Sequence, residues 1–235
     1  MNKIPKIIHQ IWSDKYRPLP KHLKRLGETW QEHYPTWEYK YWEEQDMNNF
    51  IREHFPQYGD IYNRFPYDAQ RWDAVRYLIL YKMGGMYVDF DYESIYPIDE
   101  LIRDKSCCFP LESEAQSQFY KEKVKHVFNN ALVISTPQHP FILKVIKTIF
   151  NETVLHNTEP KFLCVLKTTG PWALMDLYYS LTDEEKKDIC LIPAKYVAPF
   201  SADQSKRFIG GETSDELENC LEEAYAVHYY LGDWI

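Results

Sequence analysis

The segment that most constrains this chain runs from residue 67 to 91, YDAQRWDAVRYLILYKMGGMYVDFD. Trp72, Val75, Ile79 and Met83 fall at spacings of three, four and four, the repeat of one helical face. Asp68 reads as the N-cap of that helix. Gly84 and Gly85 stop it, and residues 86–91 follow as a strand too short and apolar to be anything but buried. A long helix turning straight back into a buried strand is the repeating unit of an α/β sandwich with a mostly parallel sheet. Ligands of such sheets gather beyond the carboxyl ends of the strands. This strand ends in two carboxylates, Asp89 and Asp91.

The rest of the chain supplies partners for that unit. Apolar runs at 4–12, 37–42, 107–112 and 129–135 read as strands, and 190–200 reads as a strand passing into a loop. Helical spacing covers 21–34, with Leu23, Leu26 and Trp30 on one face, 43–55 with a cap at Asp46, and 139–154. Shorter helices are expected at 59–65 and 181–189, and the 215–235 segment runs from acidic and polar into a strand carrying His228. A length of 235 residues allows one large domain or two small ones. With no repeat, low-complexity stretch or linker to divide it, the expectation is a single domain over 1–235.

Charge and cysteine usage narrow the function. A net charge of −8 opposes general nucleic-acid binding, which needs a basic field to displace counterions. One local basic stretch, residues 15–26 (Lys15, Arg17, Lys21, Lys24 and Arg25), suits an anionic substrate or membrane surface, or is simply a solvated face. Five cysteines, two of them adjacent and none in a CxxC pair, make neither a disulfide framework nor a zinc site and fit a reducing compartment. No apolar run approaches the length of a membrane span and no leader-like apolar stretch opens the chain. The expectation is a cytoplasmic protein, with peripheral contact at an inner membrane left open. Aromatic residues make up 16% of the chain, and rings in such number fill cores or stack on sugars and bases.

Alternation along a strand turns Asp89 and Asp91 the same way. Two carboxylates facing one way repel, and their burial is costly unless a cation or donors compensate. A hard divalent ion, Mg2+ or Mn2+, is the natural partner, with positions left for phosphate oxygens. By itself D-x-D is common by chance. One helix earlier, Asp73 and Arg76 stand three apart and can project toward the same strand end, either as a plain helical ion pair or as a pair that holds sugar hydroxyls.

With those residues in place, RWDAVRYLILYKMGGMYVDFD resembles the D-x-x-R-Y…GG-x-Y-x-D-x-D block of glycosyltransferase family 32, the DXD sugar transferases. These are relatives of the yeast initiating mannosyltransferase and, more distantly, of the large clostridial glucosylating toxins. IPKIIHQIW resembles the family's first strand, NNALVIS with TPQHPF its central strand and next helix, TTGPWAL its TGP segment, and HYYLGDW its C-terminal H-x-W-x-x-S-W element. The pieces extend from residue 4 to residue 234 and keep the family's order.

The resemblance implies a GT-A fold, a nucleotide-sugar donor, a divalent metal and transfer with retention at the anomeric carbon. It places Trp12 against the donor base, and Asp73 and Arg76 on the donor sugar. Asp89 becomes the acid shared between donor and metal, Asp91 the direct metal ligand, and Asn130 a polar neighbour of the sugar. Tyr87, Thr169 and Gly170 join the donor-binding set. His228 and Trp234 belong to the element that closes over metal and diphosphate. Tyr230 stands where the family often has Trp, and Asp233 where Ser is usual, so Asp233 joins His228 as a candidate for completing the metal site. The expected reaction moves a hexose (galactose, glucose, mannose or an N-acetyl derivative) from a nucleotide sugar, UDP-linked in preference to GDP-linked, to a glycan or lipid-linked acceptor. Bacterial surface-polysaccharide synthesis, such as capsule or lipopolysaccharide assembly, is the setting it suggests. A metal-dependent nucleotide-sugar hydrolase and a non-catalytic carbohydrate-binding protein are the alternatives.

Overall fold

A computed structural model describes residues 3–118 and 124–232. Six strands form the main sheet: β1 (Ile7–Ile11), β2 (Glu38–Trp42), β3 (Gly85–Val88), β5 (Cys107–Pro110), β6 (Leu132–Ser135) and β7 (Ile189–Ile192). Their spatial order is β2-β1-β3-β6-β5-β7. The β1–β2, β1–β3 and β5–β7 pairs are parallel, and β6 runs antiparallel to both β3 and β5. The sheet is therefore mostly parallel, with one reversed strand at its centre. A second, two-stranded sheet pairs β4 (Tyr92–Ser94) antiparallel with β8 (Ala226–His228).

Both faces of the sheet's centre are covered, which is why β3, β5 and β6 are nearly continuous apolar runs, whereas the edge strand β2 is only partly buried. On one face, Tyr87, Phe109 and Val133 pack with Val75 and Leu78 of α4 (Asp68–Met83) and with helix Pro140–Ile149. On the other, Met86, Val88 and Ile134 pack with Trp30 of α1 (Lys21–His33), Tyr92 and Ala226. The alternation of β3 thus sends Tyr87 toward α4 and its two neighbours toward α1.

Several local expectations change. The α4 helix is not a one-sided stripe: Ala74 to Leu80 are all buried, because the helix is enclosed by the sheet and other helices, whereas Trp72 and Met83 are only partly covered. Asp68 is its first residue rather than its N-cap, which is Tyr67. The Gln70 side chain reaches back to the Tyr67 N–H (3.2 Å), and the Asp68 carboxylate pairs instead with Lys15 (3.2 Å) and Arg71. Asp46 likewise lies inside α2 (Glu44–His54), where its carboxylate accepts from the N-cap Glu43 N–H at 3.1 Å. The 139–154 helix breaks at Phe150. A new turn then opens at Asn151, whose side chain accepts from the Thr153 N–H. Helices at Lys161–Thr168, Pro171–Ser180 and Ala202–Ile209 were not expected from the sequence.

The glycine pair does more than stop α4. Gly84 and Gly85 have φ of 67° and 99°, a region that disfavours side chains. A Cβ on Gly85 would lie 2.5 Å from the Ile7 carbonyl oxygen, so the glycine lets β3 begin hard against β1.

Three of the five cations of the basic stretch have acidic partners. Besides the Lys15 pair with Asp68, Lys24 and Arg25 pair with Glu28 and Glu32 of their own helix. All five cysteines are free thiols, and no helix among the described residues is long and apolar enough to cross a membrane.

Candidate active site

The carboxyl ends of β1 and β3 open into a cavity of about 420 Å³. Its walls come from the end of β1, the first half of α4, the residues after β3 and β5, those before β6, the β8 segment, and Phe162, Val165, Leu166 and Pro171 from residues 161–171. The strand carrying the paired acids ends earlier than expected. β3 stops at Val88, and residues 89–91 form a turn closed by the Tyr92 N–H donating to the Asp89 carbonyl at 3.2 Å. The turn, not strand alternation, brings both carboxylates to the cavity.

Asp73 and Arg76 meet as their spacing predicts, with Arg76 Nη2 3.1 Å from Asp73 Oδ1. Asp73 is buried and also accepts from Asn130 Nδ2 (2.9 Å) and the Thr169 hydroxyl (3.0 Å). Burial pushes its pKa up, against the pull of Arg76 and those two donors. A carboxylate has about four lone-pair sites, so Asp73 retains acceptor capacity for a ligand hydroxyl. Arg76 is chiefly a brace. Nη1 donates to the Asn130 carbonyl (2.7 Å) and lies 3.4 Å from Asp89 Oδ1, while the guanidinium sits 4.4 Å over the Tyr87 ring. Burial opposes its charge, but Asp89, Tyr87 and Asp73 together hold its pKa above the ordinary value.

The two acids of the turn are held differently. Asp89 accepts from the Tyr87 hydroxyl and keeps a side-chain exposure of 31%. Burial and the like charge of Asp91 raise its pKa against Arg76. Burial also opposes the charge of Asp91, yet its pKa is lowered by the His228 imidazole, Nε2 to Oδ1 3.4 Å, and by the Leu231 N–H, which donates to Oδ2 at 2.9 Å. His228 is raised in return: burial acts to lower it, and the facing carboxylates of Asp91, Glu112 and Asp89 outweigh burial. The ring lies flat on Tyr92, 4.9 Å between centroids, and its Nδ1 is buried with no hydrogen-bond partner among the described residues.

This donor set fits a hard divalent cation. Carboxylates outnumber guanidinium groups on the cavity wall, with Asp73, Asp89, Asp91 and Glu112 against Arg17 and Arg76. Among the described residues no three His, Cys, Asp or Glu side chains converge on one point. An ion at Asp89 and Asp91 would therefore take its other oxygens from ligand or water, as Mg2+ does in phosphate sites.

The remaining sequence-derived residues divide. Trp12, Tyr87 and Asn130 line the cavity. Trp12 packs edge-on against Phe90 (6.3 Å) and carries the Arg17 guanidinium 5.5 Å from its ring. Thr169 and Gly170 do not line it. Thr169 is fully buried and donates to Asp73, and a Cβ on Gly170 would come within 3.5 Å of Asp73 Oδ2, so both stand behind that acid rather than on the wall. Asp233 and Trp234 lie outside the described residues.

Glu112 was not foreseen. It lines the cavity just past β5, is buried, and accepts from Asn129 Nδ2 at 2.8 Å and from the Tyr230 hydroxyl. Burial raises its pKa. The signal was present in CCFPLE, where an acid follows a buried apolar run much as Asp89 follows β3.

Comparison with known proteins places the chain among glycosyltransferases. Residues 20–108 match the family described as glycosyltransferase sugar-binding region containing DXD motif. The chain is similar to inositol phosphoceramide mannosyltransferase 1 of Schizosaccharomyces pombe, 28% identical over 192 residues, covering 79% of this chain and 55% of that one. It is also similar to mannosyl phosphorylinositol ceramide synthase SUR1 of Saccharomyces cerevisiae, 30% identical over 172 residues, covering 69% and 41%. The chain thus spans about half the length of these relatives. Among solved structures, the UDP-bound glycosyltransferase domain of the YGT toxin superposes with a TM-score of 0.55 at 10% identity, over 95% of this chain and 89% of that one.

Proposed function

Residues 20–108 belong to the DXD-containing sugar-binding regions of glycosyltransferases, and from that premise we propose that this protein transfers a hexosyl group from a nucleoside-diphosphate sugar to a hydroxyl of a glycan or lipid-linked acceptor. The fold is of the GT-A type. The observation that carries the reading is the continuous chain Asp73–Arg76–Asp89, which ties the sugar-facing acid of α4 to the acid turn at the mouth of one cavity.

Each residue has a task in that reaction. Asp73 accepts hydroxyls of the donor sugar, and Thr169, Asn130 and Arg76 keep it aimed. Trp12 offers a ring to the base. Asp91 and Asp89 would hold a divalent ion, Mn2+ or Mg2+, which when bound would neutralise charge on the departing diphosphate. His228 stands beside Asp91 and keeps its carboxylate ionised. The acceptor hydroxyl forms its bond to the anomeric carbon as the sugar–phosphate bond breaks, and its proton passes to the departing phosphate oxygen. No side chain is assigned as nucleophile, and the new linkage keeps the donor's anomeric configuration. The toxin domain's UDP supports a UDP-linked donor, while the names of the yeast relatives support mannose and a lipid-linked acceptor.

Turnover of UDP-hexoses and GDP-mannose, measured with EDTA and again with added Mn2+, tests this reading. We expect activity to require the metal and to fall by about a hundredfold or more in Asp91→Asn. Full activity in EDTA would remove the metal from the mechanism. Free sugar as sole product with every acceptor tried would make the protein a hydrolase, and an inverted product anomer by NMR would overturn retention.

A further inference from the structure

The donor and metal assignments leave the polar side chains on the β5 side of the cavity without a task. Sheet order puts β1, with Trp12, on one side of β3, and β6 and β5 on the other. On the β5 side the cavity is lined by Glu112, Gln116, Asn129 and Tyr230. Glu112 is 7% exposed, and the basic group acting on it is the His228 imidazole. Its partners are neutral donors, the Asn129 amide and the Tyr230 hydroxyl. Asn129 is fixed in turn, since its Oδ1 accepts from the Ala131 N–H at 2.9 Å. Gln116 is anchored through Oε1, which accepts from the Ala202 N–H at 2.9 Å.

Glu112 shares the His228 imidazole with Asp91 and Asp89, and a buried carboxylate in such an excess of acids repels phosphate and is satisfied by hydroxyl donors. Two of its roughly four lone-pair sites are taken, which leaves capacity for more. A carboxylate, an amide and an aromatic ring on one wall match the hydroxyls and apolar face of a sugar ring, and exclude an anionic group. The geometry points to this wall as the acceptor subsite, where Glu112 and Gln116 hydrogen-bond hydroxyls of a neutral hexose on the acceptor and Asn129 positions Glu112. The inference rests on the transferase reading and deepens it by naming the part of the second substrate that this site recognises.

The test separates nucleotide from sugar. Calorimetry measures binding of UDP and of GDP with Mn2+. Saturation-transfer NMR on the nucleotide-loaded protein then probes methyl α-mannoside, methyl β-galactoside and methyl β-glucoside. Wild type is expected to bind at least one hexoside. Glu112→Gln should weaken that hexoside by about tenfold while nucleotide affinity stays within about twofold. Gln116→Ala should weaken it several-fold with the same nucleotide affinity, and it carries the test alone if Glu112→Gln does not fold. Three results overturn the subsite: nucleotide binding with no hexoside bound, a hexoside bound by both variants as by wild type, or parallel loss of nucleotide and hexoside in Glu112→Gln. The last would make Glu112 a clamp on the His228–Tyr230 segment. Failure of wild type to bind either nucleotide would instead bring down the donor reading, and is scored separately from the hexoside signal.

Discussion

His9 shows how one buried side chain ties the start of the chain to the glycine pair. It is fully buried on β1, with Nε2 2.9 Å from the Gly84 carbonyl and Nδ1 accepting from the Trp42 indole N–H at 3.2 Å. The ring is therefore neutral with its proton on Nε2, and burial pulls its pKa down to about 4. Unfolded chains take up that proton near pH 6.5. Stability from this group is complete above pH 6.5 and falls as pH drops toward 4, by roughly 3 kcal/mol. Urea unfolding at pH 7 and pH 4 should show this loss, and His9→Gln should lack that share of it. At this scale the acids were legible where they interrupted apolar sequence, as Asp73, Asp89 and Asp91 do. His9 was hidden because a histidine inside an apolar run has no pattern of its own, and Thr169 was misplaced because sequence does not distinguish the wall of a site from the layer behind it.

At the scale of elements, α4, the glycine pair and β3 were readable because periodicity changes from helical to buried strand across two residues that stop a helix. The helices at Lys161–Thr168 and Pro171–Ser180 were not. Their sequence is apolar on several faces and is cut by Thr-Thr-Gly-Pro, so no single stripe stands out. They matter to the site all the same: Gln70 of α4 donates to Thr168 at 2.8 Å, and Thr169 then reaches Asp73. The junction of α4 with β3 makes its own prediction. Gly85→Ala places a Cβ against the Ile7 carbonyl at positive φ, and should cost more than about 2 kcal/mol in urea unfolding. Gly59→Ala is the contrasting case. Gly59 opens α3 (Gly59–Arg64) with φ −58° and open space around the added methyl, and its substitution should be neutral or stabilising by up to about 1 kcal/mol, the full helix-propensity difference.

At the scale of the molecule, the site draws on residues from Trp12 to His228, so a ligand that fills it should stabilise the chain throughout. With UDP and Mn2+ at about a hundred times their dissociation constant, the gain should be about 2.7 kcal/mol. That corresponds to a rise in melting temperature of roughly 5–10 °C. Thermal denaturation with and without EDTA checks it, and Asp91→Asn should abolish the rise. The mostly parallel α/β architecture was legible from alternating strands and helices, whereas the reversed direction of β6 was not, because pairing direction depends on contacts far apart in sequence. The same distance governs how the acid turn is completed. The Asp91 carboxylate is fixed by an amide 140 residues downstream, and β4 pairs with β8 across a comparable interval. During synthesis the turn therefore leaves the ribosome long before the strand that fixes it, and closing so long a loop is an entropic cost met only after the intervening sheet has formed. A nascent chain that has not reached residue 226 has Asp73 on α4 but lacks the partner of β4. The acid turn should consequently be completed late, after most of the cavity wall is already present.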